Sequence, residues 1–335
     1  MTVTLGNALA AIILCGLTMY VLLGGADFGG GVWDLFASGP RRETQRRLIA
    51  SAIAPVWEAN HVWLILAIVL LFTCFSPAFA RLAIVLHIPL TLMLIGIVLR
   101  GSTFMFRSYG ARVGAARVFA VASLVTPVLL GVSVGAVASG RVTEPIRGAA
   151  FVDTYVAPWL TPFACVVGFF TLACFAFLAA VYLTLEAHDR ALQEDFRQRG
   201  VIAGVAVFVL AATALVLSPQ APLVREGLLS TPWAFGLHVL TGGAALTAFW
   251  GLWMRRYRIA RVAAAAEVAL IVWGWGLAQY PFLVPPDLTI ESAAAPRVTL
   301  ELALIAVGVG AIVLFPSLYY LLRVFKGRSG SPSAT

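Results

Sequence analysis

Glu58, Asn60 and His61 stand within one helical turn of each other in the stretch Pro55-Val56-Trp57-Glu58-Ala59-Asn60-His61-Val62-Trp63, at the mouth of a pure hydrocarbon run, residues 64–72. A carboxylate and an imidazole in such a place can take up, relay and release a proton. An ionised carboxylate in the low dielectric of a bilayer is costly, so the default reading is an ion or proton path, or a pairing site. Glu58 and His61 are three residues apart and share a helix face. Asn60 points about 100° around from His61. A second acid, Asp27, lies in Gly24-Gly25-Ala26-Asp27-Phe28-Gly29-Gly30-Gly31-Val32-Trp33. Burial without a counter-charge favours the proton-carrying form of either acid, which suits reversible proton carriage. The competing reading makes Glu58 an interfacial anchor for the arginines at 41–47 and Asp27 a cap or turn closing the first helix. The glycine run is not a dinucleotide loop, which needs a strand before it, where this chain has an apolar helix.

The elements that must position these residues are membrane helices. The composition is 61% hydrophobic and 11% charged, against about 25% charged in soluble domains. Runs of about 20 apolar residues cross a bilayer. They predict spans at 5–24, 54–74, 79–99, 118–138, 159–184, 201–218, 232–253, 262–281 and 299–322, separated by breakers such as Ser76-Pro77, Ser218-Pro219 and Pro285-Pro286. The fold class expected is all-α: a polytopic membrane protein with nine transmembrane helices, packed as two four-helix bundles plus one peripheral helix. Residues 1–326 form one integral membrane domain, and 327–335 form a disordered cytoplasmic tail. Of the 23 Arg and Lys, 18 fall in the odd-numbered loops and the C-terminal end. The positive-inside rule then places the N-terminus outside and the C-terminus inside. In that orientation Asp27, ending the first helix, and Glu58, beginning the second, both lie toward the cytoplasm. Gly25-x-x-x-Gly29 and Gly131-x-x-x-Gly135 permit close helix approach.

The remaining polar groups are weaker candidates. His87 precedes Pro89 in the third span. Arg100, at that span's inner end, either snorkels to the interface or pairs with Asp27 or Glu58. Trp57 and Trp63 flank the acidic turn as supporting groups. Glu267 has Arg261 within two turns, which suggests an interfacial pair. His238 is a lone histidine on an apolar face. Cys15, Cys74, Cys165 and Cys174 show no metal or haem-attachment spacing. The net charge of +8 is too diffuse for a nucleic-acid surface. No residues form a self-contained active site, catalytic set or metal centre, so a partner must supply the reaction centre. The competing function is a secondary transporter or proton-conducting protein. Transporters, however, place their sites at the midplane on broken helices.

Four segments resemble subunit II of cytochrome bd-type quinol oxidases. Gly25-Ala26-Asp27-Phe28-Gly29-Gly30-Gly31 is similar to the family's G-F-D-x-G-x-G. Ile53-Ala54-Pro55-Val56-Trp57-Glu58-Ala59-Asn60-His61-Val62-Trp63-Leu64 is similar to I-x-P-x-W-[DE]-x-N-x-x-W-L. Arg100-Gly101 with Phe104 and Phe106-Arg107, and Tyr280-Pro281-Phe282, match two further segments. The resemblance implies a non-haem subunit in a heterodimer with a haem-bearing subunit I, which carries haems b558, b595 and d. That partner oxidises quinol and reduces oxygen to water in the bacterial cytoplasmic (inner) membrane. It further implies that Asp27 and Glu58 belong to a proton route from the cytoplasm, and that lipid and a structural quinone are bound groups. A small single-helix subunit is an additional partner in some members. Three positions depart from the family pattern. Gly24 stands where many members have another acid, Glu58 replaces the common Asp, and Ala26 replaces Phe. The route then leans more on His61.

Overall fold

The computed structural model describes residues 4–108 and 113–327, with side chains described outside 53–59, 103–117, 318 and 321–327. Glu58 and Trp57 fall outside the described side chains, as do Phe104, Phe106 and Arg107; the tail beyond 327 lies outside the described residues altogether. Twelve helices follow in order: α1 (Leu5–Leu35), α2 (Arg42–Cys74), α3 (Ser76–Val85), α4 (His87–Ser108), α5 (Val113–Ala138), α6 (Phe151–Tyr155), α7 (Pro162–Glu186), α8 (Arg190–Leu217), α9 (Pro222–Leu229), α10 (Pro232–Trp253), α11 (Tyr257–Gln279) and α12 (Arg297–Gly327). Among the described residues the departure from an all-α chain is a short antiparallel hairpin, β1 (Phe282–Val284) and β2 (Leu288–Thr289), between α11 and α12. Pro281, Pro285 and Pro286 deny that segment a helical ladder.

Among the described residues seven helices are long and apolar enough to cross a membrane. The second half of α2 and α3 form a further pair bent by 115°, and His87–Ser102 is a shorter apolar helix. The chain is thus a mostly helical, multi-pass membrane protein. The continuous span expected at 79–99 is divided instead at Leu86. Pro89 has no N–H to donate to Val85, so the ladder opens there. The starts of several helices are written locally. Thr4 caps α1 by accepting from the Asn7 N–H at 3.2 Å. Thr161 caps α7 by accepting from Ala164 at 3.1 Å, with Pro162 at its first position. Asp189 caps α8 by accepting from Ala191 at 3.1 Å.

Helix α7 is the centre of the body, with 61% of its apolar window buried, against 6% for α12. It packs against α1, α5, α8 and α11. The two small-residue motifs make this possible. A Cβ on Gly131 would lie 2.6 Å from the Val167 carbonyl oxygen, and one on Gly135 would lie 2.7 Å from the Ala164 Cα. Those glycines bring α5 backbone to backbone with α7. Phe175, Phe177, Leu178 and Val181 of α7 are buried in the resulting core.

Candidate functional site

Two expected helix ends lie elsewhere. Asp27 does not end the first helix, nor does Glu58 begin the second. α1 continues through the glycine run to Leu35, and α2 already starts at Arg42. Five glycines should weaken a helix by up to about 1 kcal/mol each. Here close neighbours on three sides offset that cost. A Cβ on Gly29 would sit 2.0 Å from the Phe175 carbonyl oxygen of α7, and one on Gly31 would sit 2.1 Å from the Ser123 Oγ of α5. On the third side, a Cβ on Gly24 would lie 2.9 Å from the Asn60 Nδ2 of α2. The indole N–H of Trp33 closes the seam by donating to the Ala176 carbonyl at 2.8 Å.

Asp27 sits inside this enclosure and is fully buried. Its carboxylate accepts twice from Arg100 of α4, at 2.5 Å from Nη1 and 2.6 Å from Nη2. Nη2 also donates to the Asp27 carbonyl at 2.7 Å. The guanidinium lies with its carbon over the rings of Phe28, at 4.6 Å, and Phe119, at 4.9 Å. Its Nε donates to Ser123 Oγ at 3.0 Å, and that hydroxyl donates to the Phe119 carbonyl at 2.7 Å. Arg100 is 2% exposed, so it does not snorkel. A bidentate ion pair with aromatic rings at the cation is the geometry in which a buried guanidinium is held best. Of the two places the sequence left open for Arg100, the structure takes the pairing one, with Asp27 as the partner.

Asn60 reaches α1 at Gly24, one turn before Asp27. It is fully buried, and neither its Oδ1 nor its Nδ2 has a hydrogen-bond partner among the described residues. Trp63 follows on α2, with its Nε1 also buried and unpartnered and its ring 6.5 Å from that of Phe315 in α12. His61 is partly buried on the same turn. His87 is not part of this group. It is exposed at the start of α4, with Nδ1 2.9 Å from the Ile84 carbonyl and its ring 5.1 Å from Tyr155 of α6. Along α4 that is about 20 Å from Arg100.

Sequence reasoning missed Ser123 and Thr126 of α5. Ser123 orients Arg100. Thr126 packs on Gly96, where a Cβ would lie 2.2 Å from its Oγ1, and that buried hydroxyl has no hydrogen-bond partner among the described residues. Their i, i+3 spacing on an apolar span was the available signal. A second polar knot ties the α1–α2 turn to α8. Arg41 donates to Asp195 at 2.6 and 2.9 Å, Gln45 donates to Asp195 at 2.8 Å, and Arg199 donates to Gln45 Oε1 at 2.8 Å. Arg46 lies 3.7 Å from Asp34. Asp195 is thus a helix residue held in a network. Among the described residues no group of three His, Cys, Asp or Glu could hold a metal ion.

The sequence model of the cytochrome bd terminal oxidase subunit II family matches residues 5–325. The chain belongs to that family. Similar proteins include the putative cytochrome bd menaquinol oxidase subunit II of Bacillus subtilis, 22% identical over 95% of each chain. The cytochrome bd-I ubiquinol oxidase subunit 2 of Escherichia coli K12 is 24% identical over 95% of this chain and 92% of its own. The fold matches a chain of the bd oxidase from Geobacillus thermodenitrificans, with a TM-score of 0.80 at 23% identity, covering 96% of this chain and 99% of that one. A bd subunit II is one part of a quinol oxidase, an oxidoreductase complex, and the family implies a partner subunit I and haems in that partner. Gly24, which the resemblance marked as a departure, is closed over by Asn60.

Proposed function

We propose that this chain is the non-haem subunit of a bd-type quinol oxidase, that it stabilises the haem-bearing subunit I, and that it carries protons from the cytoplasm toward that partner. In this reading the chain has no active site of its own. It crosses the bacterial cytoplasmic membrane nine times, with its N-terminus outside. The route begins at Glu58 and His61 and passes Asn60 beside the Asp27–Arg100 pair. The observation that carries it is Asn60. A fully buried amide with two unpartnered atoms is a place for water, and this one lies two residues from Glu58 and one turn from a fixed charge pair. Glu58 supplies the titratable group, His61 a second one, and Asp27–Arg100 the field that orients water between them.

Helix geometry weighs against the anchor reading. Glu58 lies eleven or more residues along α2 from Arg42, Arg46 and Arg47, a separation of at least about 16 Å. Arg41 and Arg46 are also engaged by Asp195 and Asp34. The test is Glu58→Gln in the assembled oxidase, which keeps the shape and removes the titratable group. Oxygen consumption is expected to fall by about 10-fold to 100-fold at unchanged haem content. An unchanged pH profile of turnover would remove Glu58 from the route.

A further inference from the structure

Glu267 is a second buried acid, and the route through α1 and α2 does not use it. It lies on α11, 7% exposed, inside the expected span 262–281. Arg261 is not its partner, because that guanidinium lies over the Tyr182 ring at 5.0 Å. No described residue forms an ion pair with Glu267, and its Oε2 is buried without a hydrogen-bond partner. α7, packed against α11, brings the Cys174 thiol, itself buried. Among the other elements packed on α11, α10 brings His238, whose Nδ1 is 2.6 Å from the Ala234 carbonyl. α1 brings Cys15, Tyr20 and the Asp27 already held by Arg100, while α9 brings Arg225 and Glu226. α7 adds Tyr182, beneath Arg261, and Glu186 at its last turn.

A second observation concerns access. A groove of about 540 Å³ runs between α10 and α11, walled by Ala244, Thr247, Val262, Ala263 and Ala266, with Arg258 also lining it. Ala263 is one turn before Glu267 on the same helix face and Ala266 is its chain neighbour, so the groove's lining on α11 reaches the turn that carries Glu267.

We propose that Glu267 is a second proton-binding site of this chain, a membrane-embedded neutral acid approached from the lipid along the α10–α11 groove. A carboxylate with no counter-charge is not sustained in hydrocarbon, so the group carries its proton. The site stands apart from the Glu58 route and does not depend on it.

A neutral acid at such a place reacts with a lipid-soluble carbodiimide. The acid proton moves to a carbodiimide nitrogen and the carboxyl oxygen bonds to the central carbon. The acyl group then shifts to nitrogen, leaving an N-acylurea with no atom lost. The assembled oxidase in its membranes is treated with N,N′-dicyclohexylcarbodiimide or, in parallel, with a water-soluble carbodiimide, and peptides are read by mass spectrometry. Expected is an adduct on Glu267 from the lipid-soluble reagent, weakened as the pH is raised and lost in Glu267→Gln. Infrared difference spectra decide the matter if the reagent fails to enter: a protonated-carboxyl band present in the parent and lost in Glu267→Gln supports the site. Absence of that band, or labelling mainly by the water-soluble reagent, overturns it.

Discussion

Arg100→Met is expected to destabilise the protein by about 3–5 kcal/mol, the cost of stripping one partner from a buried ion pair. The substitution removes two charge-assisted hydrogen bonds to the Asp27 carboxylate and leaves that carboxylate in a fully enclosed position. It also takes the cation from over the rings of Phe28 and Phe119. The double variant Asp27→Leu/Arg100→Met should recover most of the loss, because an apolar pair of similar volume has no charge to desolvate. Thermal unfolding and haem retention of the assembled oxidase in detergent measure both. A single variant as stable as the parent would mean that the pair is not closed. The double variant has a further use. If it assembles and still turns over normally, the pair is structural; if it assembles and proton uptake slows, the fixed charges serve the route.

Gly29→Ala is expected to disrupt the α1–α7 seam, at a cost at or above the usual overpacking range of about 1–3 kcal/mol. The added carbon would lie 2.0 Å from the Phe175 carbonyl oxygen and 2.6 Å from the carbonyl carbon. Both belong to backbone in the middle of the most enclosed helix, so no side chain can swing aside. Gly242→Ala is the matched control. It adds the same carbon to the interior of α10, where nothing lies within 4 Å. There it should be neutral, or stabilise by about 0.5–1 kcal/mol through helix propensity. Equal yields of the two assembled variants would contradict the close approach of α1 to α7.

The same contrast explains what the sequence could reveal. Asp27 and Asn60 stood out because acids and amides are rare in apolar runs, and both are buried, Asp27 within α1 and Asn60 against it. The glycine motifs at 25–29 and 131–135 announced close contacts through their spacing alone. By contrast, the fate of Arg100 was not legible. An arginine at a helix end can reach water or turn inward, and the choice rests on Asp27, 73 residues away in sequence. Ser123 and Thr126 were hidden because hydroxyls are common in apolar helices, where they can bond to their own turn. The first helix was expected to stop at the glycines because local propensity says so. It continues because Phe175, Ser123 and Asn60 press on it from three directions. The break at Leu86 was masked by the apolar residues on either side of it, and His87 and Pro89 were the marks of the interruption.

Helix α12 gives the chain an unfinished flank. Its apolar window is 6% buried within the chain, and its contacts run along α1 and α2. The buried core built around α7 contains no residue of α12. Stability measured on the purified chain would then barely register this segment, whereas the surrounding lipid or a docked protein would decide how firmly it is seated.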